Sequence, residues 1–209
     1  MYIKIALLLT FLLQSGLILI DKIAAVVNGE IIAVSDIEKA IGFYPILRKR
    51  SEADDVFYYR VLDELINYKI IYQEYRNEFA LTDDDYEQVQ SPILLKAGSM
   101  ENLRALLKSY DMEWNDFREY IREKVLYEKV IREKFPMKIS IQFKEIEDFY
   151  EKEYVPSQQQ LNLAPRTLIE MAPIIEKYLR KNKTEERLSG WLADIRSTYK
   201  IENKMRSEK

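Results

Sequence analysis

The sequence predicts a mostly α-helical fold closed by a small β element, in which a hairpin near the N-terminus pairs with a short strand at the C-terminus. Three observations predict it. Apolar residues recur at alternating spacings of three and four, and the longest such stripe is Val61, Leu65, Tyr68, Tyr72, Tyr75 and Phe79. Two short β-type runs, residues 23–27 and 30–34, flank Asn28-Gly29, the strongest two-residue hairpin signal a sequence can carry. Tyr199-Lys200-Ile201 leaves the last helical stripe as an extended segment, and residues 23–27 offer the edge it would pair with.

The elements follow in chain order. Lys4 supplies one positive charge, residues 5–13 are apolar apart from Thr10, and Gln14-Ser15-Gly16 offers small residues for cleavage. Residues 1–16 therefore read as a signal peptide. Leu17-Ile18-Leu19-Ile20 continues the apolar run, so residues 5–20 also read as an uncleaved anchor. Their sixteen interrupted positions fall short of the about 20 that span a bilayer.

Behind the hairpin, Ser35-Asp36-Ile37-Glu38 has the form of a capping box and starts a helix to about Phe43. Phe43-Tyr44-Pro45 breaks it, and Arg48-Lys49-Arg50-Ser51 reads as a solvated connector, too few charges for an anion site. Asp54 or Asp55 opens a long helix to about Phe79, with Leu62, Ile66 and Ile70 as a second apolar line beside the main stripe. A helix apolar over so wide an arc is buried on more than one side, so it is the expected central beam of a helical lobe.

Thr82-Asp83-Asp84-Asp85 starts the next helix, the acids suiting the first turn. The triplet lacks the alternating ligands and glycine of a calcium loop. Ser91-Pro92 is expected to kink or restart this helix, and Ser99 to cap a short one through Leu103, Leu106 and Leu107. Residues 113–135 read as a second long helix, ended by Pro136. Residues 137–141 read as extended, and residues 143–154 as helical. Residues 155–165 (VPSQQQLNLAP) read as a linker, because Pro156, the glutamine run and Pro165 interrupt regular structure. Two helical stripes follow, Leu168, Ala172, Ile175, Leu179 and then Leu188, Leu192, Ile195, Tyr199, with Thr184-Glu185-Glu186 as cap of the second. Residues 203–209 are a polar tail.

Composition excludes several chemistries. Net charge is -3 with both signs interleaved, which leaves no concentrated cationic face for nucleic acid. There is no cysteine and no histidine, so thiol nucleophiles, Ser-His triads, thiolate zinc sites and imidazole bases are all absent. Glycine-rich phosphate loops are missing, and no cofactor is expected. Glu145 and Asp148 could share a helix face, but a solvated face accounts for them without an acid-base role.

The 15 tyrosines are the remaining signal, since tyrosine gives amphipathic contact area at low entropic cost. Most such rings fill a helical core. Phe43 and Tyr44 beside Pro45, together with Tyr58 and Tyr59 off the main stripe, are the candidates for exposed peptide-binding rings.

The order of elements resembles a known family. Residues 21–32 (DKIAAVVNGEII) with Ser35-Asp36 resemble the mature start of SurA-type periplasmic chaperones and the related PrsA-like foldases. The Leu81-Thr82-Asp83-Asp84 restart and residues 114–122 (WNDFREYIR) are similar to the same N-terminal lobe, residues 21–154 here. Residues 186–196 (ERLSGWLADIR) with Tyr199-Lys200-Ile201-Glu202 resemble the closing helix and strand, within residues 166–202. In that family a parvulin-type prolyl isomerase domain commonly sits between the two parts. Here only residues 155–165 occupy that place, and no histidine is available for a parvulin core, so isomerase activity is not implied. The resemblance implies an ATP-independent periplasmic chaperone, not an enzyme, whose partners are unfolded, aromatic-rich outer-membrane or secreted polypeptides. A non-catalytic scaffold subunit of an envelope complex is the alternative. Neither reading involves a nucleic acid, and only a retained N-terminal segment would touch the membrane. Oligomeric state is not legible.

Overall fold

Residues 21–136 and 139–205 are described by the computed structural model. The signal or anchor segment expected within residues 1–20 lies outside them, as do Met137 and Lys138 of the expected extended stretch and residues 206–209 of the tail.

The hairpin forms as its sequence dictates. Strands β1 (Ile23–Val27) and β2 (Glu30–Ala33) pair antiparallel, Val27 opposite Glu30. Asn28 and Gly29 both carry positive φ, 46° and 89°, the backbone that a two-residue turn matching strand twist requires. Strand β3 (Ile201–Asn203) pairs antiparallel with the other edge of β1, Val27 opposite Ile201 and Ala25 opposite Asn203. The sheet order is β2-β1-β3, so the first strand is central and the chain end closes on it. The pairing segment falls two residues beyond the expected 199–201. Asn28 accounts for part of that offset. Its N–H donates to the Lys200 carbonyl and its Oδ1 accepts the Lys200 N–H, both at 2.9 Å, so residue 200 faces the turn instead of the strand.

Helix α1 (Val34–Phe43) leaves β2 without a loop. Its start corrects the capping box expected at Ser35. Ala33 is the N-cap, and the Asp36 carboxylate, three residues on, accepts the Ala33 N–H at 2.9 Å. The Val34 N–H still donates to the Lys22 carbonyl at 2.8 Å, so the helix opens while the hairpin hydrogen bonds are ending.

Helix α2 (Asp54–Tyr75) is the central beam. It buries Phe57, Val61, Leu62, Leu65, Ile66 and Ile70 in one large core, and Ile71 in a smaller one with Leu126 and Val130. Helix α3 (Asp83–Ala97) is capped by Thr82 as the sequence predicts, but Pro92 neither ends nor restarts it. Gly98 at φ 83° turns the chain into α4 (Met100–Ser109), capped by Ser99.

The second long helix is two helices, α5 (Trp114–Tyr120) and α6 (Arg122–Lys134). Between them Ile121 has a ψ of -5° and is fully buried, so core packing sets the bend.

The largest corrections lie beyond Pro136. Residues 139–141 form no strand. Helix α7 (Phe143–Phe149) widens into a π turn at Tyr150–Tyr154 and continues as α8 (Val155–Gln160). Pro156 and the glutamines therefore do not interrupt regular structure. A π turn closes i→i+5 bonds, here Val155 N–H to the Tyr150 carbonyl, and its wider ring relieves the clash that proline imposes on an α-turn. The actual connector is residues 161–167. The two helices expected after it are one, α9 (Leu168–Ser197), thirty residues long. Thr184 caps nothing, because the chain before it is already helical; its hydroxyl donates to the Arg180 carbonyl at 2.8 Å.

The molecule thus has a lobe, made of the sheet and α1–α6, and a hairpin arm, made of α7, the π turn, α8 and most of α9. The C-terminal end of α9 ties the arm to the lobe. Arg196 donates to Asn67 and Asp63 of α2, both at 2.7 Å, and the Trp191 ring packs on Phe135 at 5.1 Å.

Candidate polypeptide-binding surface

Two hollows flank α6, and each follows from helical spacing. Lys124, Glu128, Ile131 and Phe135 fall on one face of α6 at intervals of four, three and four. Opposite stand Val89 and Pro92 of α3, with Pro45 after α1 at one end and Thr184 of α9 as a roof. Together they enclose a groove of about 530 Å³ between lobe and arm. Its walls are largely apolar, which suits a flexible chain held by side-chain burial.

Under this groove lies Asp85, the buried acid of the lobe. Its carboxylate accepts from the Thr82 N–H at 2.9 Å, Lys129 Nζ at 2.7 Å and Arg132 at 2.5 Å. Burial alone would raise its pKa. The hydrogen bonds from Lys129, Thr82 and Arg132 overcome that and hold it well below the usual carboxylate range. Arg132 also donates to Gln88 Oε1 at 2.5 Å, so the α3 and α6 walls are cross-linked by charge.

The second hollow, about 420 Å³, is a cleft on the lobe walled by Tyr44, Tyr68, Tyr72 and Tyr120 over Ile32 and Leu65. Lys124 borders both hollows. Its ammonium lies 4.9 Å from the Tyr68 ring centre and 5.2 Å from that of Tyr44, and donates to Glu128 at 2.7 Å. Across the cleft Lys69 bridges Glu123 at 2.7 Å and Glu30 at 3.4 Å. Burial raises the Glu123 pKa although Lys69 pulls it down, and burial pushes the phenols of Tyr44, Tyr68 and Tyr120 far up. Tyr127, which packs on Tyr68 at 4.9 Å, is pushed up to about 12 by burial. These phenols stay neutral hydrogen-bonding groups. The lysines of the cleft are paired within the fold, Lys69 with Glu123 and Glu30, and Lys124 with Glu128. Among the described residues no group of acids is arranged to hold a metal ion.

The four rings singled out from sequence do not form a surface. Phe43 is fully buried, its ring 5.1 Å from Phe117 and 5.4 Å from Tyr110. Tyr44 is 3% exposed and contributes to the cleft wall, nearly parallel to Tyr120. Tyr58 is half-buried against the core, and Tyr59 is half-buried with its hydroxyl donating to the Met205 carbonyl at 3.0 Å. The exposure expected for Phe43 and Tyr44 is therefore corrected. Pro45 ends α1 only after its inward face, Ile37, Ala40 and Phe43, has been delivered to the core.

Exposed large apolar side chains are scattered over the lobe, at Ile23, Ile31, Leu47, Val56, Leu95, Met100 and Trp114, and lie more densely on the arm: Phe143, Leu161, Leu163, Ile169, Ile174 and Tyr178. Ile169 is 87% exposed and Leu161 66%. Leu161 and Leu163 stand in the connector at the tip, and Ile174 and Tyr178 lie one turn apart on α9. A sequence signal marks this tip. Residues 154–169 carry a single charge, Arg166, in a chain that is 32% charged. The tip is also built, not frayed. Tyr150 Oη donates to the Arg166 carbonyl at 2.7 Å, Tyr154 Oη accepts the Arg166 N–H at 3.2 Å, and the Glu170 carboxylate caps Thr167 at 3.0 Å. Glu145 and Asp148, the acid pair noted in the sequence, are both engaged. Glu145 pairs with Lys183, and Asp148 with Lys152 at 3.0 Å and Lys144 at 3.4 Å. Compared with known proteins, the chain matches no family model and no curated protein.

Proposed function

We propose that this chain is an ATP-independent chaperone of the bacterial periplasm that holds extended, unfolded polypeptides between its lobe and its arm, with no catalytic step. The observation that carries the reading is the arm itself. An ordered helical hairpin holds six large apolar side chains in solvent, and its Thr184 roofs an apolar groove of about 530 Å³. Folded monomers seldom leave such surface uncovered without a partner for it. The apolar N-terminal stretch supports export, and the order of elements resembling SurA-type chaperones supports the client class, unfolded outer-membrane or secreted chains.

Chemistry sets the mode of binding. Covering one Leu or Ile side chain contributes about 1.5–3 kcal/mol, and ordering the client takes back much of it. Binding is then weak and broad, and its grip comes from several apolar contacts at once. The test is suppression of aggregation of an unfolded β-barrel protein by the purified chain. The triple variant L161D/L163D/I169D should keep the wild-type circular dichroism and melting temperature but lose most of the suppression. Failure of the wild type both to suppress aggregation and to bind aromatic-rich peptides would sink the proposal. Recovery from cells of one folded partner in fixed ratio would put the scaffold reading in its place.

A further inference from the structure

We infer that Asn28 is a deamidation site whose reactivity is controlled by the C-terminal strand, so that the contact closing the chain end on its beginning also protects a modifiable residue. The reaction needs only this dipeptide and water. The Gly29 backbone nitrogen, losing its proton, attacks Asn28 Cγ; a C–N bond forms, and the side-chain nitrogen leaves as ammonia. Water then opens the succinimide. Attack at the side-chain carbonyl gives aspartate, and attack at the main-chain carbonyl gives isoaspartate, with one extra methylene in the backbone.

Two observations make the site competent. Asn28 and Gly29 are both exposed. No heavy atom of the surrounding fold lies within 4 Å of the position a Gly29 Cβ would take, so nothing shields that nitrogen on the Cβ side. A third observation holds the reaction back. The Asn28 Oδ1 is pinned by the Lys200 N–H at 2.9 Å, and the Asn28 N–H by the Lys200 carbonyl at 2.9 Å. While both bonds stand, the side-chain amide cannot swing toward the Gly29 nitrogen. They are lost together if β3 leaves β1. That strand is three residues long, each half-buried, the kind of terminal element that opens locally ahead of the core.

The product differs from the reactant where it matters. Aspartate at position 28 still offers an acceptor to Lys200. Isoaspartate lengthens a two-residue turn whose geometry fixes the register of β1 with β2, and it displaces the acceptor. Conversion to isoaspartate therefore weakens the hold of the turn on β3.

The experiment follows isoaspartate at position 28 by peptide mapping during incubation at mildly alkaline pH. Wild type is compared folded and in urea, beside the variants K200P, which deletes the pinning N–H, and N28A as the blank. Folded wild type should convert at least about fivefold more slowly than the unfolded chain, the factor one net hydrogen bond carries. K200P, folded by circular dichroism, should lose most of that protection. Equal rates in folded and unfolded wild type, or no conversion in urea, would overturn the inference. If K200P does not fold, wild type is followed through urea concentrations below its global transition. Conversion that accelerates there supports local release of β3, and conversion that accelerates only with global unfolding overturns it.

Discussion

Helix α2 in the lobe and helix α9 in the arm are both long, and they are stabilised by different means. Over 22 residues α2 buries Phe57, Val61, Leu62, Leu65, Ile66, Tyr68, Ile70 and Ile71. Over 30 residues α9 fully buries only Ile175. Partly buried packing at its C-terminal end, where Trp191, Leu192 and Ile195 meet the smaller core, and local interactions along its length hold it instead. Thr167 and Glu170 cap α9 reciprocally, and Glu176 with Arg180 and Lys181 with Glu185 form i,i+4 ion pairs along it. Each such pair contributes about 0.2–0.5 kcal/mol, enough to bias a helix but not to build a core. The lobe is therefore a cooperative unit. The arm is a helical hairpin that leaves several of its apolar side chains in solvent.

The comparison can be broken most directly in the lobe. Phe117 is fully buried against Phe43 and Trp114, and F117A should lower global stability by about 3–5 kcal/mol in urea unfolding. An effect below about 1 kcal/mol would mean that the lobe is not the cooperative core described.

Next in size is Asp85. D85N leaves Lys129 and Arg132 without their carboxylate and should destabilise by about 3 kcal/mol. The same group sets a pH dependence. Its folded pKa is depressed below the unfolded one, so its contribution is fully present above the ordinary aspartate value, near 3.9, and is lost as pH falls below it. Melting followed from pH 6 to about pH 3 should show a loss that D85N lacks.

In the arm the effects shrink and become local. I175A should cost about 2 kcal/mol, the low end for a buried isoleucine, because one side of its site can collapse. Amide exchange should speed up along α7–α9 while lobe amides change little; uniform acceleration through the lobe would refute the separation of the two units. Smallest of all, I174A should shift stability by less than about 0.5 kcal/mol, since that side chain is already exposed, while weakening the client binding proposed above.

What could be read from sequence was local in origin. The hairpin at Asn28-Gly29, the Thr82 and Ser99 caps and the broad burial of α2 rest on turn chemistry, capping and periodicity, and each is found where those signals stand. The site was less legible. Sequence neighbours single out Phe43, Tyr44, Tyr58 and Tyr59, but exposure depends on neighbours in space, and α1 and α2 are both packed inward. The charge-poor run of residues 154–169 does mark the exposed tip, but the prolines and glutamines of residues 155–165 read as a linker although helix α8 runs through residues 155–160.

The sequence by itself determined that this chain is mostly helical and that its first and last elements form one small sheet. Propensity, capping and the two-residue turn act over a few residues, and β1 offers a free edge to the extended segment at residues 199–201. Only the tertiary structure decided that the chain bends at buried Ile121, runs helical through Pro156 by a π turn, passes Thr184 without a break, and holds Ile169 in water while Tyr44 is enclosed. Those outcomes depend on what packs against each residue, and residues far apart in the chain supply it.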